Sequence, residues 1–93
     1  MVTLQDIKKE DLLRFIPPNK LEFYTGLSSS WWRDRRTDGS IQENIHYVIV
    51  GPNKIIYRLY LVVDFAANYQ NKSHHRRAIE VALKLLPSNW HLR

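Results

Sequence analysis

Apolar residues recur at helical spacing near both ends of this chain. In Thr3–Ile16 they have a loose helical spacing among charged residues, and in His74–Leu86 they form a stripe with a period of three to four, as on one face of an amphipathic helix. Pro17 and the proline after it must end the first of these helices, because proline lacks a backbone N–H and clashes with the preceding turn. Ser73 is placed to cap the last one. The pattern therefore predicts a helix in each terminal segment.

Two shorter helices are predicted in between. Asn19 can cap a helix over Lys20–Thr25, which Gly26 then breaks. Ser28 is a good N-cap for the next helix, which contains two adjacent tryptophans and ends at Gly39. A short helix, a glycine turn and a capped second helix together favour a helix-turn-helix.

The period then changes from helical to extended. Ile45–Val50 and Ile55–Tyr60 are rich in β-branched and aromatic residues, and Gly51–Lys54 between them has turn chemistry, so a β-hairpin is predicted. Leu61–Tyr69 is apolar apart from Asp64 and fits either a strand or a helix by composition. Its helical repeat and paired alanines favour a helix.

Size and composition restrict what this chain can be. Its 93 residues suit one domain, with a core over 20–69 and extra helices over 3–16 and 73–86. The chain has no cysteine, which excludes disulfides, thiolate nucleophiles and cysteine zinc sites. No apolar run approaches the ~18 residues of a membrane span. We expect a cytoplasmic, nucleoid-associated protein without a membrane partner.

The net charge of +5 is unevenly distributed. Basic and acidic residues balance over Met1–Asn53, so the whole excess lies in Lys54–Arg93. Such a basic half indicates a polyanionic partner, nucleic acid before membrane. A solvated surface without a partner is the alternative interpretation.

Residues Lys20–Asn68 resemble the excisionase-type, MerR-like winged helix-turn-helix DNA-binding domain. Four segments carry the resemblance, in the family's order and spacing: Gly26–Ser28 at the turn and cap, Gly39–Ile41 after the recognition helix, Ile56–Arg58 at the end of the second wing strand, and Leu61–Phe65 in the helix that closes the wing. The resemblance implies an α+β fold that is mainly α with a two-stranded β-hairpin wing. The protein would be a winged helix-turn-helix with extra N- and C-terminal helices.

In such a domain the capped helix enters the major groove, where its first residues reach bases and phosphates. If Trp32 points into the core, the 3.6 period places Ser29, Ser30, Arg33 and Thr37 outward. Arg33 is then the expected contact to a guanine edge or a phosphate. The predicted DNA contacts from this helix and its cap are Ser28, Ser29, Ser30, Trp31, Arg33, Arg35 and Arg36.

Arg35 and Arg36 depart from the family, which has apolar residues at these positions. Either their stems cover apolar surface while their charges reach solvent or DNA, or the helix is rotated and Trp31 is the core residue. The sequence leaves both alternatives open.

Two further basic regions are expected to contact DNA. At the wing these are Asn53 and Lys54 in the turn, with Arg58 near the end of the second strand. In the last helix a phosphate patch is expected from Lys72, His74, His75, Arg76 and Arg77.

No phosphate loop, paired catalytic carboxylates or nucleophile–base motif is present, so we expect no enzyme, no cofactor and no metal. His46 is expected at the surface or across a strand, and Asp64 is expected to pair with Arg58 or cap backbone.

The leading hypothesis is a sequence-specific double-stranded DNA-binding protein, either a transcription regulator or an excisionase-like recombination directionality factor. It would bind as a dimer or as adjacent copies and position a recombinase or polymerase. One alternative is a protein-interaction module anchored by Trp31, Tyr47, Tyr57 and Tyr60. Another is a small RNase using His74 or His75.

Overall fold

The computed structural model describes residues 14–85. This part of the chain is an α+β fold with four α-helices and a three-stranded antiparallel sheet of order β1-β3-β2. The elements are β1 (Phe15–Ile16), α1 (Leu21–Thr25), α2 (Ser29–Asp38), β2 (Tyr47–Gly51), β3 (Lys54–Arg58), α3 (Leu59–Ala67) and α4 (Lys72–Leu85). The α+β class is therefore confirmed at this level.

The residues just before Pro17 form a strand and not the end of a helix. Phe15 lies opposite Arg58 and Ile16 lies opposite Tyr57 in the antiparallel pair of β1 with β3. The helix predicted over Thr3–Ile16 is therefore wrong at its C-terminal end, and its earlier part lies outside the described residues. The spacing of apolar residues indicated a helix because the local pattern does not contain β3, the strand with which β1 pairs and which is far away in the sequence.

The two central helices begin and end close to the predicted residues. A single 3₁₀ turn (Pro18–Lys20) leads into α1, and no side chain caps α1, so Asn19 is not the predicted cap. Gly26 ends α1 with φ of +78°. The Ser28 hydroxyl accepts a hydrogen bond from the Trp31 backbone N–H at 3.2 Å, and Gly39 ends α2 with φ of +83°. The cap at Ser28 and both glycine ends are confirmed.

The β-hairpin is confirmed with shorter strands than predicted. The turn holds Asn53 at φ of +61° directly after Pro52, the combination typical of a type II turn. Tyr60 belongs to the helix that follows β3 at once and not to the strand. The preference for a helix over Leu61–Tyr69 is confirmed, although α3 begins and ends two residues earlier.

The last helix starts two residues earlier than expected, at Lys72 and not at His74. Asn71 Oδ1 accepts from the His74 backbone N–H at 3.1 Å, so Asn71 and not Ser73 is the capping residue. Within α4, Ala78 and Ala82 pack against Leu61, whereas Leu83 of the predicted apolar stripe is exposed. Its predicted last residue, Leu86, lies outside the described residues.

The main core lies between α2, the sheet and α3. Its largest members are Trp32, Tyr57 and Phe65, with Ile16 from β1 and Leu21 from α1. Within residues 14–85, no helix has both the length and the apolar character to cross a membrane.

Candidate functional site

The turn between α1 and α2 is fixed by one buried hydroxyl. Thr25 Oγ1 donates to the Leu21 carbonyl at 2.7 Å and accepts from the Leu27 backbone N–H at 3.1 Å. The Trp32 indole N–H donates to the same oxygen at 3.1 Å. Trp32 is fully buried and Trp31 is half-buried, so Trp32 is the core residue and the rotated alternative is excluded.

This orientation turns the opposite side of α2 to solvent. Ser29, Ser30, Arg33 and Thr37 are all exposed, as predicted. Arg33 makes no ion pair with a described residue, so its guanidinium is available to a ligand. The Thr37 hydroxyl donates to the Arg33 carbonyl at 3.1 Å, and Asp34 is exposed beside them.

Arg35 covers an aromatic surface, and its charge is used inside the molecule. Its guanidinium carbon lies 4.9 Å from the Trp31 ring centre. One terminal nitrogen donates to the Tyr69 hydroxyl at 3.1 Å, and Nε lies 3.1 Å from Asp38 Oδ2. The cation–π contact with Trp31 and the ion pair with Asp38 hold this side chain along the surface of its own helix. In this structure Arg35 is therefore not free to contact DNA.

Arg36 connects α2 to the hairpin. Its Nε donates to the Tyr57 hydroxyl at 2.9 Å, and its guanidinium carbon lies 5.8 Å from the Tyr47 ring centre. Burial raises the pKa of Tyr57, while the neighbouring Arg36 opposes that rise. Arg36 therefore links α2 to the hairpin. Its stem covers apolar surface, which is the first of the two alternatives that the sequence left open for Arg35 and Arg36.

The wing turn presents Asn53 and Lys54 to solvent, whereas Arg58 points inward. Arg58 is 2% exposed, donates from Nε to the Ile45 carbonyl at 3.0 Å, and lies 4.5 Å from the Phe15 ring centre. Burial lowers the pKa of Arg58 to about 10. The prediction that Arg58 contacts DNA is contradicted by this burial.

The predicted phosphate patch on α4 is divided between the surface and the interior. Lys72, His74, Arg76 and Arg77 are exposed, but His75 is 7% exposed and faces inward. His75 is therefore removed from the patch, which keeps its four outer residues. Successive residues of a helix point about 100° apart, which separates His75 from His74.

His75 belongs to a buried chain of polar groups that links three elements. Its Nδ1 lies 2.7 Å from Asp64 Oδ2, and its Nε2 lies 2.8 Å from His46 Nε2. His46 Nδ1 accepts from the Gln42 backbone N–H at 2.9 Å. His46 is therefore not at the surface, but it does bond across the hairpin as the other alternative expected, since its carbonyl accepts from the Arg58 backbone N–H at 2.8 Å. The expectation that Asp64 pairs with Arg58 is wrong, because Asp64 bonds His75.

Only one arrangement of protons allows every hydrogen bond in this buried chain of polar groups to form. Because the Gln42 N–H donates to His46 Nδ1, the proton of neutral His46 is on Nε2 and is donated to His75. His75 then carries its proton on Nδ1 and donates it to Asp64. Burial lowers the pKa of His46 to about 3, and the nearby His75 adds to the shift. All four ring nitrogens are occupied, so neither histidine has a free atom for acid–base chemistry.

A cleft of about 440 Å³ opens above this chain of polar groups. It lies between the residues that follow α2, the end of α3 and the first turns of α4. Its walls are formed by Gly39, Ser40, Gln42, His46, Phe65, Asn68, Tyr69, Lys72, His75, Arg76 and Ile79.

The aromatic anchors proposed for a protein-interaction module are largely covered. Tyr47 and Tyr57 are buried in the core, while Trp31 and Tyr60 are half-buried. The most exposed aromatic residue among those described is Phe23 at 65%. An interaction surface would therefore need other residues than the four that the sequence indicated.

Sequence reasoning missed Thr25 and misplaced His46 and Asp64. The sequence did contain a signal for Asp64, since a carboxylate in an apolar helix must find a partner when it is buried. The identity of that partner was not readable, because His75 is on another helix. Within residues 14–85, no three His, Asp or Glu side chains are grouped to hold a metal ion.

Comparison with models of known protein families, with curated proteins and with solved structures found no match to this chain, and the comparisons therefore assign it to no family.

Proposed function

We propose that this protein binds double-stranded DNA as a winged helix-turn-helix, with α2 in the major groove. The observation that carries the proposal is the orientation of α2. Burial of Trp32 turns Ser29, Ser30 and Arg33 outward at the N-terminal part of the helix, where helix-turn-helix proteins contact bases. The guanidinium of Arg33, which has no ion pair within residues 14–85, suits bidentate contact with guanine.

The hairpin supports the same arrangement. Arg36 ties α2 to Tyr57 of β3, so the hairpin has a defined position relative to the helix. Asn53 and Lys54 are exposed at its tip. They are suited to contact a phosphate or the minor groove next to the major groove that α2 would occupy.

Exposed cations on α4 complete the proposed surface. Lys72, Arg76 and Arg77 carry part of the charge excess without a described ion pair, and His74 lies beside them. Such groups position a protein on the phosphate backbone without reading sequence, whereas Arg33 would read it. The protein would thus act without catalysis, as a regulator or a recombination directionality factor, binding as adjacent copies beside a polymerase or recombinase.

Selection from a pool of random duplexes tests this proposal. The wild-type chain is expected to enrich a defined site at low salt, with affinity that falls steeply as salt rises. Arg33→Ala should lose most of the preference for that site over random duplex, by about 1–3 kcal/mol. The matched control Arg77→Ala should weaken binding to both duplexes alike and reduce the salt dependence.

Failure to enrich any duplex at low salt would overturn the proposal. Equal effects of Arg33→Ala and Arg77→Ala on preference would also overturn the assignment of α2 as the reading helix.

A further inference from the structure

We propose that the cleft between the loop after α2, the end of α3 and α4 binds a nucleoside monophosphate unit, with its phosphate at Lys72 and Arg76 and its base against Tyr69. The cleft volume of about 440 Å³ is in the range of small-molecule sites. The site shares Lys72 and Arg76 with the α4 part of the proposed duplex surface but includes no residue of the outward face of α2, so it does not depend on duplex binding by that helix.

One face of α4 lines the cleft. Lys72, His75, Arg76 and Ile79 all contribute to its wall, and their spacing of three, four and seven residues places them on one side of a helix. His75 is buried at the base, while the two cations are exposed. The helix therefore presents two positive charges along the rim, with buried His75 bonded to Asp64 below them.

These two cations are not neutralised by the described protein. Like charges four residues apart on a helix destabilise it, and neither Lys72 nor Arg76 makes an ion pair with a described residue. Asp64 lies at the floor, but it is buried and held by His75 and Asn68. Glu80, four residues after Arg76 on α4, forms no ion pair with Arg76 in the structure. No acidic residue is in the first turn of α4. The cleft is thus suited to an anion.

The opposite side of the cleft suits a planar ring. Tyr69 is 44% exposed, and its ring lies edge-on to Phe65 and Trp31 at 5.5 Å from each ring centre. Arg35 donates to its hydroxyl, which holds the ring in place. A fixed, partly exposed aromatic face favours stacking of a base, and Gln42 adds polar groups able to bond the base edge.

The buried histidines make this a binding site and not a reacting one. Both ring nitrogens of His46 and of His75 already have partners within the protein. A bound phosphate would meet the exposed cations Lys72 and Arg76 at the rim, with the bonded His75–Asp64 pair below them.

Titration of the full chain with adenosine monophosphate tests the proposal, followed by backbone amide NMR and calorimetry. Saturable binding is expected, with the largest shifts in the residues that line the cleft. Inorganic phosphate alone and adenosine alone should each bind about tenfold more weakly, because each keeps only one of the two sets of contacts.

Charge variants on α4 provide the decisive comparison. Arg76→Gln should weaken binding of adenosine monophosphate about tenfold, the usual effect of losing one charge-assisted hydrogen bond. Arg77→Gln removes the same charge one position away and outside the cleft, so its effect should stay below about twofold. Equal losses in the two variants, or no saturable shifts in the wild type, would overturn the proposal. Arg33→Ala should leave nucleotide binding unchanged, which separates this test from the test of duplex binding.

A competition arm distinguishes the two sources of such a ligand. If a 5′-phosphorylated single-stranded oligonucleotide displaces adenosine monophosphate and the unphosphorylated strand does not, the site takes a strand end. If neither strand competes while the free nucleotide binds, it takes the free nucleotide. Equal displacement by both strands would overturn the assignment of the phosphate to Lys72 and Arg76.

Discussion

At the scale of single residues, the hydroxyl of Thr25 holds the turn before α2. It bonds the Leu21 carbonyl, the Leu27 N–H and the Trp32 indole. Thr25→Val keeps the shape of the side chain but leaves the buried Trp32 indole N–H and the half-buried Leu27 N–H without this acceptor. We expect the free energy of unfolding to fall by about 2–3 kcal/mol, measured by urea denaturation.

Thr37→Val is the matched control for that change. Thr37 is exposed, and among residues 14–85 its hydroxyl bonds only the Arg33 carbonyl, where water can replace it. Its unfolding free energy should stay within about 0.5 kcal/mol of the wild type. An equally small effect of Thr25→Val would show that the buried hydroxyl does not hold the turn.

At the scale of elements, α2 depends on a glycine at its C-terminal end. Gly39 has φ of +83°, and a Cβ placed on it would have nothing within 4 Å. The cost of Gly39→Ala is therefore one of backbone conformation and not of crowding. We expect a loss of about 1 kcal/mol in thermal or urea unfolding, with a smaller loss for Gly39→Asn, since asparagine tolerates this conformation better.

Gly51→Ala in β2 is the control for Gly39→Ala, because it adds the same methyl group without the conformational cost. A Cβ there also meets nothing within 4 Å, but this glycine has no positive φ. Gly51→Ala should be neutral or slightly stabilising, because alanine lowers the entropy of the unfolded chain. Equal losses at Gly39 and Gly51 would contradict the conformational explanation.

At the scale of the whole molecule, stability should depend on pH through His46. Its folded pKa of about 3 is below the value of about 6.5 expected in the unfolded chain. The unfolded chain therefore binds the proton first as pH falls, and stability present above pH 6.5 is lost toward pH 3. Between pH 7 and pH 5 we expect His46 to account for a loss of about 2 kcal/mol in urea unfolding.

His46→Gln should flatten this pH profile, whatever its effect on stability at pH 7. Arg77→Gln is the control, since that side chain is exposed and lies outside the buried polar group, so its removal should leave the slope nearly unchanged. A profile of the same slope in His46→Gln and the wild type would contradict the assignment of the slope to His46.

Local signals in the sequence were sufficient to predict the helix cap, the helix ends and the hairpin turn of the central fold. Ser28 capped α2, Gly26 and Gly39 ended helices, and the turn at Gly51–Lys54 formed a hairpin. These features arise between residues close in the chain, through a cap bond, a positive φ or a turn. The outward face of α2 followed as well, once Trp32 was taken as the core residue, because the helical period then determines the rest.

The burial and partners of polar side chains were decided by the tertiary structure. His75 meets a partner 11 residues away and another 29 residues away, and Arg58 is covered by β1, which no local pattern predicted. A charged residue near a strand or helix end can face solvent, DNA or a buried carbonyl with the same sequence around it. Only packing decides between these, because the desolvation cost of each polar group is balanced by partners that the folded chain brings together.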